Sequence, residues 1–202
     1  MKIICIGRNY VDHAKELGNE VPESPVIFMK PDTAVLKKGS DFYIPEFSNE
    51  VHYELEVVLK ISKGGKYILQ ENAHKHFDEI GLGIDFTARD LQNNLKTKGL
   101  PWELAKAFDG SAVISEFYKK DDFDLKNLQF SLLKNKQEVQ IGNTSLMIFS
   151  PEEIIAFVSQ YFTLRVGDLI FTGTPKGVGK VVENDFLEAY LEDEKVFELR
   201  IQ

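Results

Sequence analysis

Short runs of β-branched and aromatic residues, each closed by glycine, proline or charged turn residues, recur along the chain and constrain its fold more than any other feature. Glu56–Ile61, Ile80–Asp85, Ala112–Glu116, Gln129–Lys134, Asp168–Thr172 and Val196–Ile201 have strand length and strand composition. Glu138–Ile141 is placed to pair with Gln129–Lys134 across a turn at Asn135 and Lys136, and Lys2–Gly7 reads as a short buried strand. Strands spaced this way, without long helices regularly between them, predict an α+β, mainly β chain with an antiparallel or mixed sheet. With 43% hydrophobic residues and 15 phenylalanines in 202 residues, a substantial core is available. No repeat, low-complexity tract or Ser/Gly linker divides the chain, so one domain over residues 1–202 is expected.

Three helices interrupt the strands. Ser150-Pro151-Glu152-Glu153 combines an N-cap serine, proline at the first helical position and glutamate three residues on. The apolar positions Ile154, Ile155, Phe157, Val158 and Phe162 follow, which predicts a helix over Pro151–Tyr161. A second helix starts near Thr87–Asp90 and ends before Gly99, and a third runs from Tyr10 to Leu17, closed by Gly18. Pro22 and Pro25 then describe an irregular loop.

Several function classes are disfavoured at this level. The net charge is −8 with acids and bases intermixed, and no basic stripe marks a nucleic-acid partner. No run approaches the ~20 apolar residues that cross a bilayer, so no membrane partner is expected. The single cysteine, Cys5, excludes an intramolecular disulfide and reads as a small core residue in a reducing compartment. A cytoplasmic protein is the expectation.

His52-Tyr53-Glu54-Leu55-Glu56 places two carboxylates two residues apart where a strand pattern begins, so both point to one face. The pair suits either a shared cation or a solvated edge. Asp85 ends the apolar run Ile80–Ile84 just before a helix start, where it is either a site residue or a cap. Three carboxylates without a neighbouring cysteine favour Mg²⁺ or Mn²⁺ over Zn²⁺. Arg89 and Gln92, three apart, share a helix face near Asp85, and an arginine fork suits a carboxylate ligand. Lys106 lies in the largely apolar stretch Leu100–Gly110, where it either snorkels to the surface or places positive charge in a site. His13 and Glu16 are three apart on a short helix, as a surface pair or as a water-activating base with its orienting acid. His52, His74 and His76 have no comparable partner and read as structural or exposed. Asp168–Gly179 is a strand running into a Gly-rich turn that lacks the spacing of a phosphate loop. Gly173 and Thr174 there either contact an anionic ligand or form a plain turn.

Taken in order, Gly7–Tyr10 with His13 and Glu16, Phe28–Pro31, Glu54–Glu56, Asp85–Gln92, Gly99–Trp102 with Lys106, Thr144–Ser150 and Thr172–Gly179 resemble the fumarylacetoacetate hydrolase superfamily. The match is to its short branch of acylpyruvases and oxaloacetate decarboxylases and runs over nearly the entire chain. The resemblance implies a mixed β-roll of the catalytic-domain type, usually a homodimer, with Mg²⁺ or Mn²⁺ at Glu54, Glu56 and Asp85. It implies that Arg89, Gln92, Lys106 and Thr174 contact a small-molecule 2-oxo acid and that His13 and Glu16 form a water-activating dyad on a closing lid. Lys30 falls on a family lysine near the site. The implied activity is metal-dependent cleavage of the C–C bond of acylpyruvates to pyruvate and a carboxylic acid, with oxaloacetate decarboxylation beside it. An isomerase or decarboxylase of aromatic-degradation intermediates and a non-catalytic oxo-acid-binding protein are the alternatives.

Overall fold

The computed structural model describes residues 1–16, 18 and 20–202. Its elements run β1 (Ile3–Gly7), α1 (Val11–Glu16), β2 (Val26–Lys30), β3 (Val51–Tyr53), β4 (Leu55–Ile61), α2 (Gln70–Ala73), β5 (Phe77–Asp85) and β6 (Thr87–Ala88). There follow α3 (Arg89–Thr97), α4 (Glu103–Lys106), β7 (Ala112–Ile114), β8 (Tyr118–Lys119), β9 (Gln129–Lys134) and β10 (Gln137–Asn143). The chain finishes with α5 (Pro151–Tyr161), β11 (Leu169–Phe171), β12 (Gly179–Lys180), β13 (Phe186–Leu191) and β14 (Glu194–Arg200).

Among the described residues the strands form three sheets. The largest has the order β2-β1-β11-β4-β5-β7, with β8 also on β5. A second runs β10-β9-β13-β14, and a small third runs β12-β3-β6. The β1–β11 pair is parallel and its neighbours are antiparallel, so the expected mixed, mainly β architecture is the one observed. The large sheet is covered on both faces, which explains why its strands read as continuous apolar runs rather than alternating ones. Ile4 and Ile6 of β1 enter the main core with Val57, Leu59, Leu82 and Ile84, whereas Ile3 and Cys5 pack on the opposite face with Phe28, Val58 and Phe171. Burial pushes the Cys5 thiol well above its ordinary range, so it serves as the core residue the sequence suggests.

Local chemistry accounts for the elements that were expected. Helix α5 spans the predicted Pro151–Tyr161, capped by Ser150 Oγ, which accepts from Glu153 N at 3.3 Å, while Glu153 Oε2 accepts from Ser150 N at 2.8 Å. The β9–β10 hairpin turns through Asn135 and Lys136, both at positive φ (53° and 66°), as a two-residue loop of that twist requires. Helix α1 lies within the predicted Tyr10–Leu17, of which Leu17 falls outside the described residues. Strands β2, β3, β6, β8, β12 and β13 and helices α2 and α4 were not foreseen, and β6 takes Thr87 and Ala88, so α3 starts at Arg89. The irregular loop expected after Pro22 gives way at Val26 to β2, which pairs with all of β1 from Ile3↔Lys30 to Gly7↔Val26.

Candidate functional site

The site forms at one end of the large sheet, where two neighbouring strands leave it together. β4 is preceded by Glu54 and β3, and β5 is followed by Phe86 and β6, with β3 and β6 paired in the small sheet. Glu54 therefore sits in a break between strands, not within one, and Asp85 N donates to Glu54 O at 2.8 Å across that corner. Glu56 lies two residues into β4. All three acids are buried, at 5%, 2% and 0% exposure for Glu54, Glu56 and Asp85, so a solvated edge is excluded. One carboxylate oxygen from each lies within 4.8 Å of the other two. Opposite oxygens around an octahedral Mg²⁺ are about 4.2 Å apart, given bonds of about 2.1 Å, so the spacing suits such an ion after a small contraction.

Three cations converge on these acids. Lys106, at the end of α4, donates from Nζ to Glu54 Oε2 at 2.8 Å, Asp85 Oδ2 at 2.6 Å and Thr87 Oγ1 at 2.6 Å. It does not snorkel to the surface. Burial disfavours its charge, but Asp85 and Glu54 outweigh that and hold its pKa above the usual lysine value. Arg89 donates from Nη2 to Glu54 and from Nη1 to Gln92 Oε1 at 2.6 Å, and its buried Nε has no partner among the described residues. Glu54 loses stability as an anion through burial, yet Lys106 and Arg89 keep its carboxyl well below the ordinary range. Glu56 is pushed the other way, raised by burial and by repulsion from Asp85 and Glu54. A donor set in which one carboxylate is held at such cost is what a bound dication relieves. On spacing, burial and charge, the residues present fit a hard divalent ion.

Two residues stand behind this site instead of in the pocket. Lys30 is fully buried, with Nζ 2.7 Å from Asp85 Oδ1, and it donates to Ser111 O (3.1 Å), Ser111 Oγ (3.0 Å) and the Lys106 carbonyl. It thereby positions Asp85 and the end of α4. Gly173, at φ +100°, directs its amide to Glu56 Oε2 at 2.7 Å, so the close approach foreseen for an anionic ligand is made to a side chain of the protein. Asp85 caps no helix; α3 follows Ala88 without a side-chain cap.

His13, Glu54, Glu56, Arg89, Gln92, Lys106 and Thr174 line one narrow pocket of about 30 Å³, room for roughly two waters. His13 is buried on α1, with Nδ1 3.5 Å from Glu16 Oε2, within ion-pair reach but without a hydrogen bond. Burial lowers its pKa, Arg89 and Lys106 add to this and Glu54 opposes it, so the ring is neutral near pH 7. Glu16 accepts from Gly177 N at 3.1 and 3.2 Å, which fastens α1 to the Gly-rich turn. The Thr174 hydroxyl donates to Leu55 O at 2.8 Å and accepts from Gln140 Nε2 at 2.9 Å. His52 meets Glu50 at 3.3 Å and His76 the Lys63 carbonyl at 2.8 Å, both outside the pocket.

Some contributors were given no role from the sequence, although Arg8, Asn9 and Trp102 lie within motifs that carry the resemblance. Gln140, on the second sheet, bonds Leu55 N, Thr174 and Pro175 O and ties three segments of the corner together. Asn9 accepts from Phe149 N at 2.7 Å and donates to Phe149 O at 3.0 Å and Thr172 O at 2.8 Å. Arg8 and Trp102 complete the pocket mouth. A buried amide is recognisable only from its partners, and these lie 34 to 163 residues away in sequence.

Residues 2–202 match the fumarylacetoacetate (FAA) hydrolase C-terminal family. The chain is 44% identical over 188 residues to a mitochondrial oxaloacetate tautomerase of Bos taurus, covering 93% of this chain and 85% of that protein. It is 42% identical over 182 residues to a mitochondrial oxaloacetate decarboxylase of Dictyostelium discoideum, covering 89% and 84%. A crystal structure of fumarylpyruvate hydrolase from Pseudomonas aeruginosa, in complex with Mn²⁺ and pyruvate, superposes with a TM-score of 0.94 at 36% identity, covering 100% of this chain and 89% of that one. Family model, sequence relatives and fold thus agree, and the chain belongs to the fumarylacetoacetate hydrolase family.

Proposed function

We propose that this chain is a divalent-metal enzyme of small 2-oxo acids that interconverts keto and enol forms, acting on oxaloacetate or a close analogue, with Mg²⁺ or Mn²⁺ at Glu54, Glu56 and Asp85. The observation that carries the reading is the Lys106 ammonium, locked between Glu54 and Asp85 on the floor of the pocket. The dication, when bound, supplies a Lewis acid for the 2-oxo oxygen. A lysine held charged and immobile stabilises negative charge developing on that oxygen and is ill suited to exchanging protons. Arg89 and Gln92, already bonded to each other, offer the buried Nε and their remaining polar atoms to the substrate carboxylate. Neutral His13 then takes the proton from C3 and passes it to the C2 oxygen to give the enol, with the reverse transfer giving the keto form and Glu16 beside the ring. The names of the relatives, tautomerase and decarboxylase of oxaloacetate, support this substrate class.

The His13–Glu16 pair favours a second activity, hydrolysis of acylpyruvates, in which the same histidine removes a proton from water attacking the distal carbonyl. The Pseudomonas relative is a fumarylpyruvate hydrolase, which supports this reading. Both activities are read in one experiment: loss of the oxaloacetate enol and release of pyruvate from acetylpyruvate and fumarylpyruvate, with Mg²⁺ and with EDTA. Metal-dependent consumption of the enol is expected. Turnover indifferent to EDTA, or none on any of the three acids, rejects the assignment. The reading includes a homodimer of single-domain subunits, for which light scattering should give twice the 23.0 kDa chain mass.

A further inference from the structure

We propose that Arg8, with Lys96 beside it, forms a subsite at the pocket mouth for the distal carboxylate of a 2-oxo dicarboxylate, a selection that rests on the 2-oxo acid reading above. The inner cations are committed: Lys106 and Arg89 bond Glu54, and Lys30 faces Asp85. Arg8 lines the same pocket but makes no hydrogen bond or ion pair with any described residue. Its guanidinium lies 5.9 Å from the Trp102 ring centroid. Trp102 in turn meets Phe28 at 6.0 Å, and the Lys106 ammonium lies 4.8 Å from the Phe28 ring. An aromatic pair therefore separates an inner cation from an outer one. An arginine stacked by its face keeps its N–H edges available for an in-plane, two-pronged grip on a carboxylate.

The backbone holds Arg8 in place. Its φ of 61° is left-handed, a conformation costly for a residue with a long side chain, and the neighbouring Asn9 enforces it through three side-chain hydrogen bonds. Nothing in the turn itself requires an arginine there; glycine or asparagine adopts that conformation at less cost. Lys96, on α3, lines the mouth from the opposite element. Burial and the nearby Arg8 and Arg89 push its pKa down, a sign of positive potential concentrated at this spot. A substrate bearing one carboxylate for the inner site and a second for this mouth satisfies both; one with a neutral acyl end leaves the Arg8 guanidinium unused.

Calorimetry with L-malate and L-lactate on the Mg²⁺-loaded protein tests this directly, since both are 2-hydroxy acids and only malate carries a distal carboxylate. Wild type should bind malate about 10- to 100-fold more tightly than lactate, the range for one charge-assisted pair. Arg8→Met should bring the ratio to about threefold or less, and Arg8→Lys should restore part of it. If Arg8→Met does not fold, Lys96→Met reads the same ratio and has to lower it. Equal binding of the two acids by wild type, or a full preference retained in a folded Arg8→Met, overturns the subsite and leaves the inner site standing. Absence of binding by both acids overturns the 2-oxo acid reading and the subsite together.

Discussion

Each acid of the corner has a distinct set of partners, and this predicts distinct consequences of removing them. Asp85 is bonded by Lys106 and faced by Lys30, so Asp85→Ala removes a proposed metal donor, leaves buried Lys30 without its facing carboxylate and leaves Lys106 with Glu54 alone. Activity toward oxaloacetate and toward acylpyruvates should both disappear. His13→Ala leaves the carboxylates and Lys106 untouched, and should cost acylpyruvate hydrolysis about 10²- to 10⁴-fold while costing oxaloacetate decarboxylation much less. Steady-state kinetics on the two substrates checks this, and equal losses would remove the separate role of His13 with water. Gly173 makes a steric demand of its own. A Cβ there would lie 2.6 Å from Asn9 Cβ at a φ of +100°, so Gly173→Ala must displace either the turn or Asn9. Denaturant unfolding should show a loss of about 2–3 kcal/mol. Because the same amide holds Glu56, weaker Mg²⁺ binding should accompany it.

At the scale of elements, the site depends on how strands and helices are fastened at their ends. Helix α5 packs Ile154, Ile155 and Val158 into the main core, and its start is set by the reciprocal Ser150–Glu153 bonds. Ser150→Ala should cost about 1 kcal/mol in unfolding without altering metal affinity, because α5 contributes nothing to the pocket. The N-terminal strand is held by Asp168, which accepts from Lys2 N (2.8 Å) and Arg165 N (2.8 Å) and pairs with Lys2 Nζ (2.5 Å). Burial opposes the Asp168 charge, but the bonds from Lys2 and the Arg165 amide outweigh it and lower its pKa. A carboxyl with a depressed folded pKa stabilises the fold above its ordinary value of 3.8, and that contribution vanishes as pH falls through the folded value. Acid unfolding followed by circular dichroism should therefore show a steep loss below pH 3.8, and Asp168→Asn should flatten it.

For the whole molecule, the corner shared by the large and small sheets is where folding stores electrostatic cost. Three buried carboxylates are held together by sheet geometry, and Glu56 is the one left poorly compensated. Under the proposed metal assignment Mg²⁺ would bind only the folded arrangement, so at a hundredfold excess over its Kd it should add about 2.7 kcal/mol to stability, seen as a raised melting temperature that EDTA reverses. No described helix is long and apolar enough to cross a membrane. Much of this architecture could be read from the chain itself. The Ser150–Glu153 box, the Asn135-Lys136 turn and the apolar runs of β1, β4, β5 and β9 act through backbone torsions and near neighbours, so their signals are local. The acids Glu54, Glu56 and Asp85 and the cations Arg89 and Lys106 were legible as types of residue at particular spacings. What only the tertiary structure decided is which of them share a cavity. Strand β2 exists because β1 pairs with it, Glu54 lies at a break between two sheets and not along a strand, and Gly173 and Lys30 serve the carboxylates from behind. Those outcomes depend on hydrogen bonds and burial between segments up to 117 residues apart, where closing the chain into one particular set of contacts, not any local preference, selects each partner.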